Sequence, residues 1–288
     1  MNNIIDVKNV TKIFSKGIIN KSFTRAVNNI SLNIDSEKPM IRAIAGESGS
    51  GKTTLARMIL GLITPTQGEL FFEGQNINKL NNEDRLNFRK SVQPIFQDPF
   101  GVFNPFYKID RVLHTPLIKF QVTDNKTEIE DRIESALNSV GLRPDETLGR
   151  YPHELSGGQR QRIMVARALV LEPKVIVADE PVSMVDASLR ATILESIYKF
   201  KEEQNISVIY ITHDLTTAHQ LCDDIMVLYA GNMVEAGPID LIVRNPSHPY
   251  TKLLVNSIPF PDPDMHWKKY DPNDRLKLDV KSVGWRNK

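Results

Sequence analysis

A single cysteine, Cys222, stands in a chain of 288 residues. One thiol excludes a disulfide framework and a cysteine-ligated iron–sulfur cluster within the chain, and Cys222 is expected as a small buried helical residue. Also missing is any apolar run approaching the ~20 residues that a membrane helix needs. Neither sign of charge dominates: Lys+Arg 36 against Asp+Glu 35 leaves a net charge of +1, which offers no support for a nucleic-acid-binding face. Met1 to Lys12 lacks the hydrophobic core of a signal peptide. These absences point to a cytoplasmic location, with any membrane work done through another chain. What is left is ordinary for a globular protein, 41% hydrophobic and 25% charged, and long enough for one large domain or two small ones.

Against this background one stretch stands out: Gly46-Glu47-Ser48-Gly49-Ser50-Gly51-Lys52-Thr53-Thr54. It follows Ile41 to Ala45, a short apolar strand, and precedes Leu55 to Leu62, which has helical spacing. Strand, glycine loop and helix form the context of a phosphate-binding loop. Glycines let successive N–H groups point into one concavity, and the helix adds the positive end of its dipole. Lys52 has the reach for β- and γ-phosphates, Thr53 offers a hydroxyl to Mg²⁺, and Thr54 one to an α-phosphate. An ordinary glycine turn would leave the Lys-Thr pair unexplained.

Further along, Val175 to Ala178 is a continuous apolar run ending in Asp179-Glu180. Two acids at the end of a buried parallel strand face the ligand crevice of an α/β sheet. Asp179 suits Mg²⁺, and Glu180 suits the polarisation of a water for attack on a γ-phosphate. Standing alone they would read as exposed acids capping a strand. Leu155-Ser156-Gly157-Gly158-Gln159 is a second anion-binding backbone at a helix start. One nucleotide does not need two such sites from one chain, so a head-to-tail dimer is expected, each copy covering the other's ATP. A plain serine N-cap is the other reading of this motif.

Around these motifs the pattern alternates strands and helices, an α/β fold with a mainly parallel sheet. Ile4 to Val10 and Ile30 to Ile34 read as strands of an N-terminal sheet, separated by a polar insertion, Ser15 to Arg25. Glu69 to Glu73 is a short strand, and Asn82 to Lys90 a helix. Asp98 to Pro116 is rich in proline and aromatics, with little periodicity. Asn125 to Val140 is an amphipathic helix with Gly141 as its C-cap. A helix is expected over 160–170, another over 189–203, a strand over 206–211 and a helix over 216–222. Ile225 to Tyr229 and Asn232 to Glu235 form a hairpin around Ala230-Gly231, and Asn245 to Lys288 reads as a loosely ordered extension.

Taken together, Gly46 to Thr54, Gln97, Leu155 to Gln159, Val175 to Glu180, Asp186 and His213 resemble the ATP-binding subunit of an ABC transporter, in order and spacing, from about Val7 to about Ser257. The resemblance implies a P-loop NTPase (RecA-like) α/β core with an N-terminal antiparallel β subdomain and an inserted helical subdomain at roughly 98–165. The nucleotide-binding domain would span 1–245 and a C-terminal extension 246–288. It implies that His213 contacts the γ-phosphate, that Gln97 senses Mg²⁺ and the attacking water, and that Asp186 touches the partner subunit. Phe14 matches the aromatic that stacks on adenine; it could equally be a core residue, and Phe23 is a second candidate. Asn245 to Leu254, with Ser257 to Pro263, resembles the oligopeptide, dipeptide and nickel importer subfamily, and the Pro-Asp-Pro tail its F-type ATPase subunit. That resemblance implies a homologous D-type ATPase partner, two transmembrane permease subunits, an extracytoplasmic substrate-binding protein, and work at the cytoplasmic face of the membrane. A nickel or metal-chelate importer and a non-transport ABC ATPase are the alternatives. Two departures stand out. Ser183-Met184-Val185-Asp186 replaces the usual Ser-Ala-Leu-Asp, and the tail from Asp262 carries none of the cysteines that hold a cluster in many relatives.

Overall fold

The computed structural model describes residues 2–16, 22–98, 101–183, 185–257 and 284–286. Pro99, Phe100, Met184 and nearly all of the cysteine-free tail lie outside the described residues. By internal packing the chain falls into two compact units, one of Met1–Ile5, Ile34–Met40 and Phe71–Ile209, the other of Asp6–Asn33, Ile41–Leu70 and Tyr210–Lys288.

The second unit opens with most of β1 (Asn3–Lys16) and β2 (Ser22–Asp35), then β3 (Ile41–Ala45), α1 (Lys52–Ile59) and most of β4 (Gln67–Phe72). The first unit holds β5 (Gln75–Asn76), α2 (Asn82–Ser91), β6 (Val92–Ile95), α3 (Asp110–Lys119), α4 (Lys126–Ser139), α5 (Pro144–Thr147), α6 (Gly157–Leu169), β7 (Val175–Asp179), α7 (Ala187–Gln204) and the opening half of β8 (Ser207–Thr212). The second unit then closes with α8 (Leu215–Leu221), β9 (Asp224–Tyr229), β10 (Asn232–Pro238), α9 (Ile239–Arg244), α10 (Pro249–Asn256) and β11 (Gly284–Trp285).

In the first unit the strands run β8-β7-β6, with β6 and β7 parallel. In the second they run β11-β10-β9-β3-β8, with β3 and β9 parallel and β9 and β10 antiparallel. Every residue of β3 and β8 is buried, as are the first four of β7. Strands covered on both faces need such unbroken apolar runs, which is why Ile41 to Ala45 and Val175 to Ala178 are legible without alternation. The β9–β10 hairpin turns on Ala230 (φ 47°) and Gly231 (φ 81°), the two left-handed residues of a tight turn that matches strand twist. Helix α4 buries Ile129, Ile133, Ala136 and Leu137; Asn125 caps its start by accepting from the Thr127 N–H, and Gly141 (φ 69°) ends it.

Three expectations change. The insertion between the first two strands is shorter than the polarity of Ser15 to Arg25 suggests, because β1 continues to Lys16 and β2 begins at Ser22. The aperiodic stretch Asp98 to Pro116 contains most of α3, from Asp110 to Pro116. Ile109, Leu113 and Leu117 are fully buried at a spacing of four, a helical signal masked by the surrounding prolines. Pro116 removes one N–H inside α3, but the helix ends within a turn of it, where the Phe120 N–H bonds the Pro116 carbonyl at 2.9 Å. Finally, 245–257 is not loosely ordered. Helix α10 starts at Pro249 with His248 as its cap, and β11 pairs parallel with β10. Cys222 is buried immediately after α8, and burial beside Asp223 and Asp224 pushes its thiol well above the usual range.

The reason the C-terminal segment is ordered is Glu235. It is fully buried in β10 and accepts from the Ser247 N–H (2.9 Å), the His248 N–H (3.0 Å) and the Arg286 guanidinium (2.8 Å). Arg286 also donates to the Asn245 carbonyl at 2.6 Å, and its own N–H bonds Ala236 O at 2.7 Å. Desolvation pushes the Glu235 carboxyl up, but the donors outweigh it and hold it below the usual carboxylate range. A folded-state pKa below the unfolded one stabilises the fold above the unfolded pKa, and that contribution is lost as pH falls through the folded value. Glu235→Ala strands a half-buried arginine and two backbone donors, and should cost on the order of 3 kcal/mol at neutral pH. Denaturant unfolding measured at pH 7 and again below the carboxylate range should show this difference narrowing with acid.

Candidate functional site

The expected loop is the link between β3 and α1. Gly46 (φ 152°) leaves the strand so close to its neighbour that an added Cβ would meet Leu228 O at 2.2 Å. Gly51 (φ 107°) starts α1, and a Cβ there would meet Ala26 O at 2.3 Å. Both neighbours are backbone, so no side-chain adjustment relieves the clash. Lys52, buried at the first helical position, donates from Nζ to the carbonyls of Gly46 (2.7 Å) and Glu47 (2.8 Å), so its ammonium lies along the loop. Ser50 O accepts from Gly231 N–H at 3.0 Å. The Ser50 hydroxyl is buried and, among the described residues, has no hydrogen-bond partner. Ser48, Gly49 and Thr53 are exposed and Thr54 half-buried. A cradle that a Cβ would fill, an unpartnered buried hydroxyl and a lysine ammonium fit a polyphosphate.

At the end of β7, Asp179 and Glu180 are both half-buried. Glu180 takes a left-handed backbone (φ 48°), costly for a non-glycine residue and kept only where surroundings impose it. Those surroundings are explicit. Its carboxylate accepts from Gln97 Nε2 at 2.9 Å, just beyond β6. Its carbonyl accepts from the Ser183 N–H (3.2 Å) and hydroxyl (3.0 Å). The next carbonyl, of Pro181, accepts from Gln161 Nε2 on α6 at 2.8 Å. Gln161 was not among the residues expected to matter. Its signal was a polar residue on the apolar face of α6, in line with Gly158, Val165 and Ala168, all of them buried.

Ser156 caps α6, its hydroxyl accepting from the Gln159 N–H at 3.2 Å while Gln159 Oε1 accepts from the Ser156 N–H at 2.9 Å. The serine N-cap reading therefore holds, and it leaves the amides of Gly157 and Gly158 as the helix's first two donors, which no intrahelical carbonyl can satisfy. Gly158 lies against the Leu189 side chain. Asp186 is exposed at the start of α7, and its carbonyl accepts from Leu189 and Arg190. His213 is exposed just after β8, between Thr212, whose hydroxyl accepts from Asp214 N–H, and Asp214, which caps α8 through the Thr216 and Thr217 amides. Phe14 is 44% exposed beneath the Lys12 ammonium, 5.3 Å from its ring centre, which rules out the core role. Phe23 is more exposed still, at 69%.

The first unit thus carries Gln97, Ser156 to Gln159, Asp179, Glu180 and Asp186, with Gln97 and Glu180 in direct contact. The second carries Phe14, Gly46 to Thr54 and His213. No helix among the described residues is long and apolar enough to cross a membrane. No group of three His, Cys, Asp or Glu among them could hold a metal unaided.

Residues 27–183 match the family model described as ABC transporter, and residues 234–280 match that of the oligopeptide/dipeptide transporter, C-terminal region. The oligopeptide transport ATP-binding protein OppF of Streptococcus mutans is 42% identical over 277 residues, covering 95% of this chain and 88% of that one. The dipeptide transport ATP-binding protein DppF of Escherichia coli is 39% identical over 254 residues, 88% of this chain and 73% of that one. Among solved structures, a dimeric ATP-binding cassette in a post-hydrolysis state with ADP and Pi superposes with a TM-score of 0.73 at 29% identity, over 82% of this chain and 98% of that one. With a phosphate loop between β3 and α1 and a glutamate fixed at the end of β7, the chain belongs to the ABC transporter family and is an ATPase built on its P-loop α/β fold.

Proposed function

We propose that this ATPase drives uptake of oligopeptides or dipeptides through a membrane permease. The observation that carries the chemistry is Glu180, held in a left-handed backbone with its carboxylate on Gln97. The transport proteins named above support the substrate class. The loop 46–54 holds the ATP phosphates: the amides of Gly46 to Gly51 and the ammonium of Lys52 neutralise charge, and Thr54 bonds an α-phosphate. Mg²⁺ would be held by Thr53, Gln97 and Asp179, and when bound it offsets charge developing on the β- and γ-oxygens. Glu180 accepts a proton from the attacking water, Gln97 orients both, and His213 contacts the γ-phosphate. Phe14 stacks on adenine.

Ser156 to Gln159 caps a nucleotide held by a homologous D-type subunit across a head-to-tail dimer, with Asp186 at that contact. ATP closes the dimer and hydrolysis opens it. The segment 98–165 acts as the helical subdomain that meets two permease subunits on the cytoplasmic face, substrate reaching them from an extracytoplasmic binding protein. A cavity of about 380 Å³ lined by Val102, Phe103, Tyr107, Arg111, Val112 and Pro116 offers a groove for a permease helix. Among the described residues between Gln97 and Ser156 the longest helix is α4, with 14 residues, far short of the long coiled coil that a non-transport ABC ATPase would insert there.

Two experiments test this reading. Glu180→Gln should bind ATP but hydrolyse it on the order of 10²–10⁴-fold more slowly, and should trap a closed ATP-bound dimer; unchanged turnover would remove Glu180 from the mechanism. The aromatics of 102–107 separate by burial, with Phe103 7% exposed and Phe106 84%. Phe103→Ala should therefore cost about 3–5 kcal/mol of stability. Phe106→Ser should leave melting temperature and ATP binding alone and lower peptide uptake in vesicles reconstituted with the permease. Uptake that survives Phe106→Ser would place the contact elsewhere.

A further inference from the structure

The segment Asn245 to Leu254 takes no part in the chemistry described above, yet one of its buried side chains touches the phosphate loop. Tyr250, at the second position of α10, is 2% exposed. Its hydroxyl accepts from the N–H of Glu47 at 2.8 Å. Glu47 is the loop's second residue, and its carbonyl accepts from the Lys52 ammonium. Both backbone dipoles of Glu47 are therefore held, one by the C-terminal element and one by the loop's own lysine.

The Tyr250 ring is itself packed against Tyr229, with ring centres 4.4 Å apart. Tyr229 ends β9, beside the Leu228 carbonyl that closes on Gly46 and the turn whose Gly231 amide bonds Ser50 O. From below, His248 Nδ1 accepts from the Tyr250 N–H at 3.1 Å, while the His248 N–H bonds Glu235. A continuous run of contacts thus leads from buried Glu235 through His248 and Tyr250 to the loop. We propose that Tyr250 is a positioning residue for the phosphate loop: the C-terminal element holds the Glu47 amide in place so that the loop is already shaped for the triphosphate. Ordering the loop in advance removes that cost from binding, so the effect belongs in nucleotide affinity rather than in the chemical step. The proposal rests on 46–54 being the triphosphate site.

The test uses the full chain, with Tyr250→Phe, Thr251→Ala and Lys52→Ala compared by MgATP calorimetry, steady-state hydrolysis and melting temperature. Tyr250→Phe keeps the ring and deletes one acceptor. It should weaken MgATP binding roughly 3- to 10-fold, the range that one net hydrogen bond spans, with kcat at saturating ATP within about twofold. Thr251 is buried on the same helix, and its hydroxyl meets Glu235, not the loop; Thr251→Ala should loosen that anchor and lower the melting temperature without deleting the Glu47 contact, and so without that loss of affinity. If Tyr250→Phe binds MgATP like wild type, or if both helix variants lose affinity in proportion to stability, the positioning role is overturned. Lys52→Ala separates the two readings. Wild-type binding by Lys52→Ala sinks the phosphate-loop assignment and this proposal with it. Lost binding there beside intact binding in Tyr250→Phe sinks this proposal alone. Should Tyr250→Phe not fold, amide exchange on the wild-type chain decides: the Glu47 amide should be protected in the nucleotide-free protein, and exchange at the rate of an exposed loop would contradict the role.

Discussion

The backbone of Leu228 runs against Gly46 with no room for a side chain between them, and much of the site follows from that approach. Parallel pairing of β3 with β9, Ala45 opposite Val227, sets the separation. The chain must then leave β3 through a residue without a Cβ, and it meets the same constraint at Gly51 against Ala26 before α1 begins. Between these two tight points the amides of the loop have little freedom to point elsewhere. A site for a highly charged ligand needs such rigidity, because dipoles already aimed at the charge need not reorganise when it arrives.

Glu180 shows the complementary situation, a side chain fixed by polar contacts instead of by close packing. Its strained backbone is held by Ser183, by the neighbouring Pro181 carbonyl on Gln161 and by Gln97 on the carboxylate. Gln161 belongs to the helix that Ser156 caps. The turn carrying the glutamate is thereby bonded to the helix whose start faces solvent, so the two are positioned together within one unit. Gln161 Oε1 stays buried without a partner among the described residues, a desolvation cost that makes sense only if its amide donor is needed where it is.

The C-terminal element is an integral part of the second unit. A fully buried glutamate would be unfavourable alone; here two backbone amides and Arg286 surround it. Trp285 adds a cation–π contact to Arg42, whose guanidinium lies 4.9 Å from the ring centre and which also forms a buried ion pair with Asp224 at 2.7 Å. Polar anchors of this kind specify one arrangement, because every alternative leaves a charge stranded.

The amino-acid sequence by itself determined the phosphate loop, the strands on either side of the chemistry, and the helix Asn125 to Val140. In each case the information is local: a glycine spacing, an unbroken apolar run or a 3.6-residue period is imposed by backbone geometry within a few residues. It also marked Gln97, Glu180 and His213, through their place in a set of motifs. Tertiary structure alone decided the rest. Helix α3 was hidden because the Ile109, Leu113 and Leu117 pattern sits among prolines that locally argue for loop. The order of 245–257 depends on Glu235 and Arg286, distant in the chain, so no window of sequence contains the reason. Whether Phe14 was core or surface turned on burial, and the placement of Gln161 and Tyr250 on single hydrogen bonds to backbone groups far away in sequence. Such contacts leave no periodic trace, because a backbone carbonyl or amide is the same at every residue and only the fold selects which one is met.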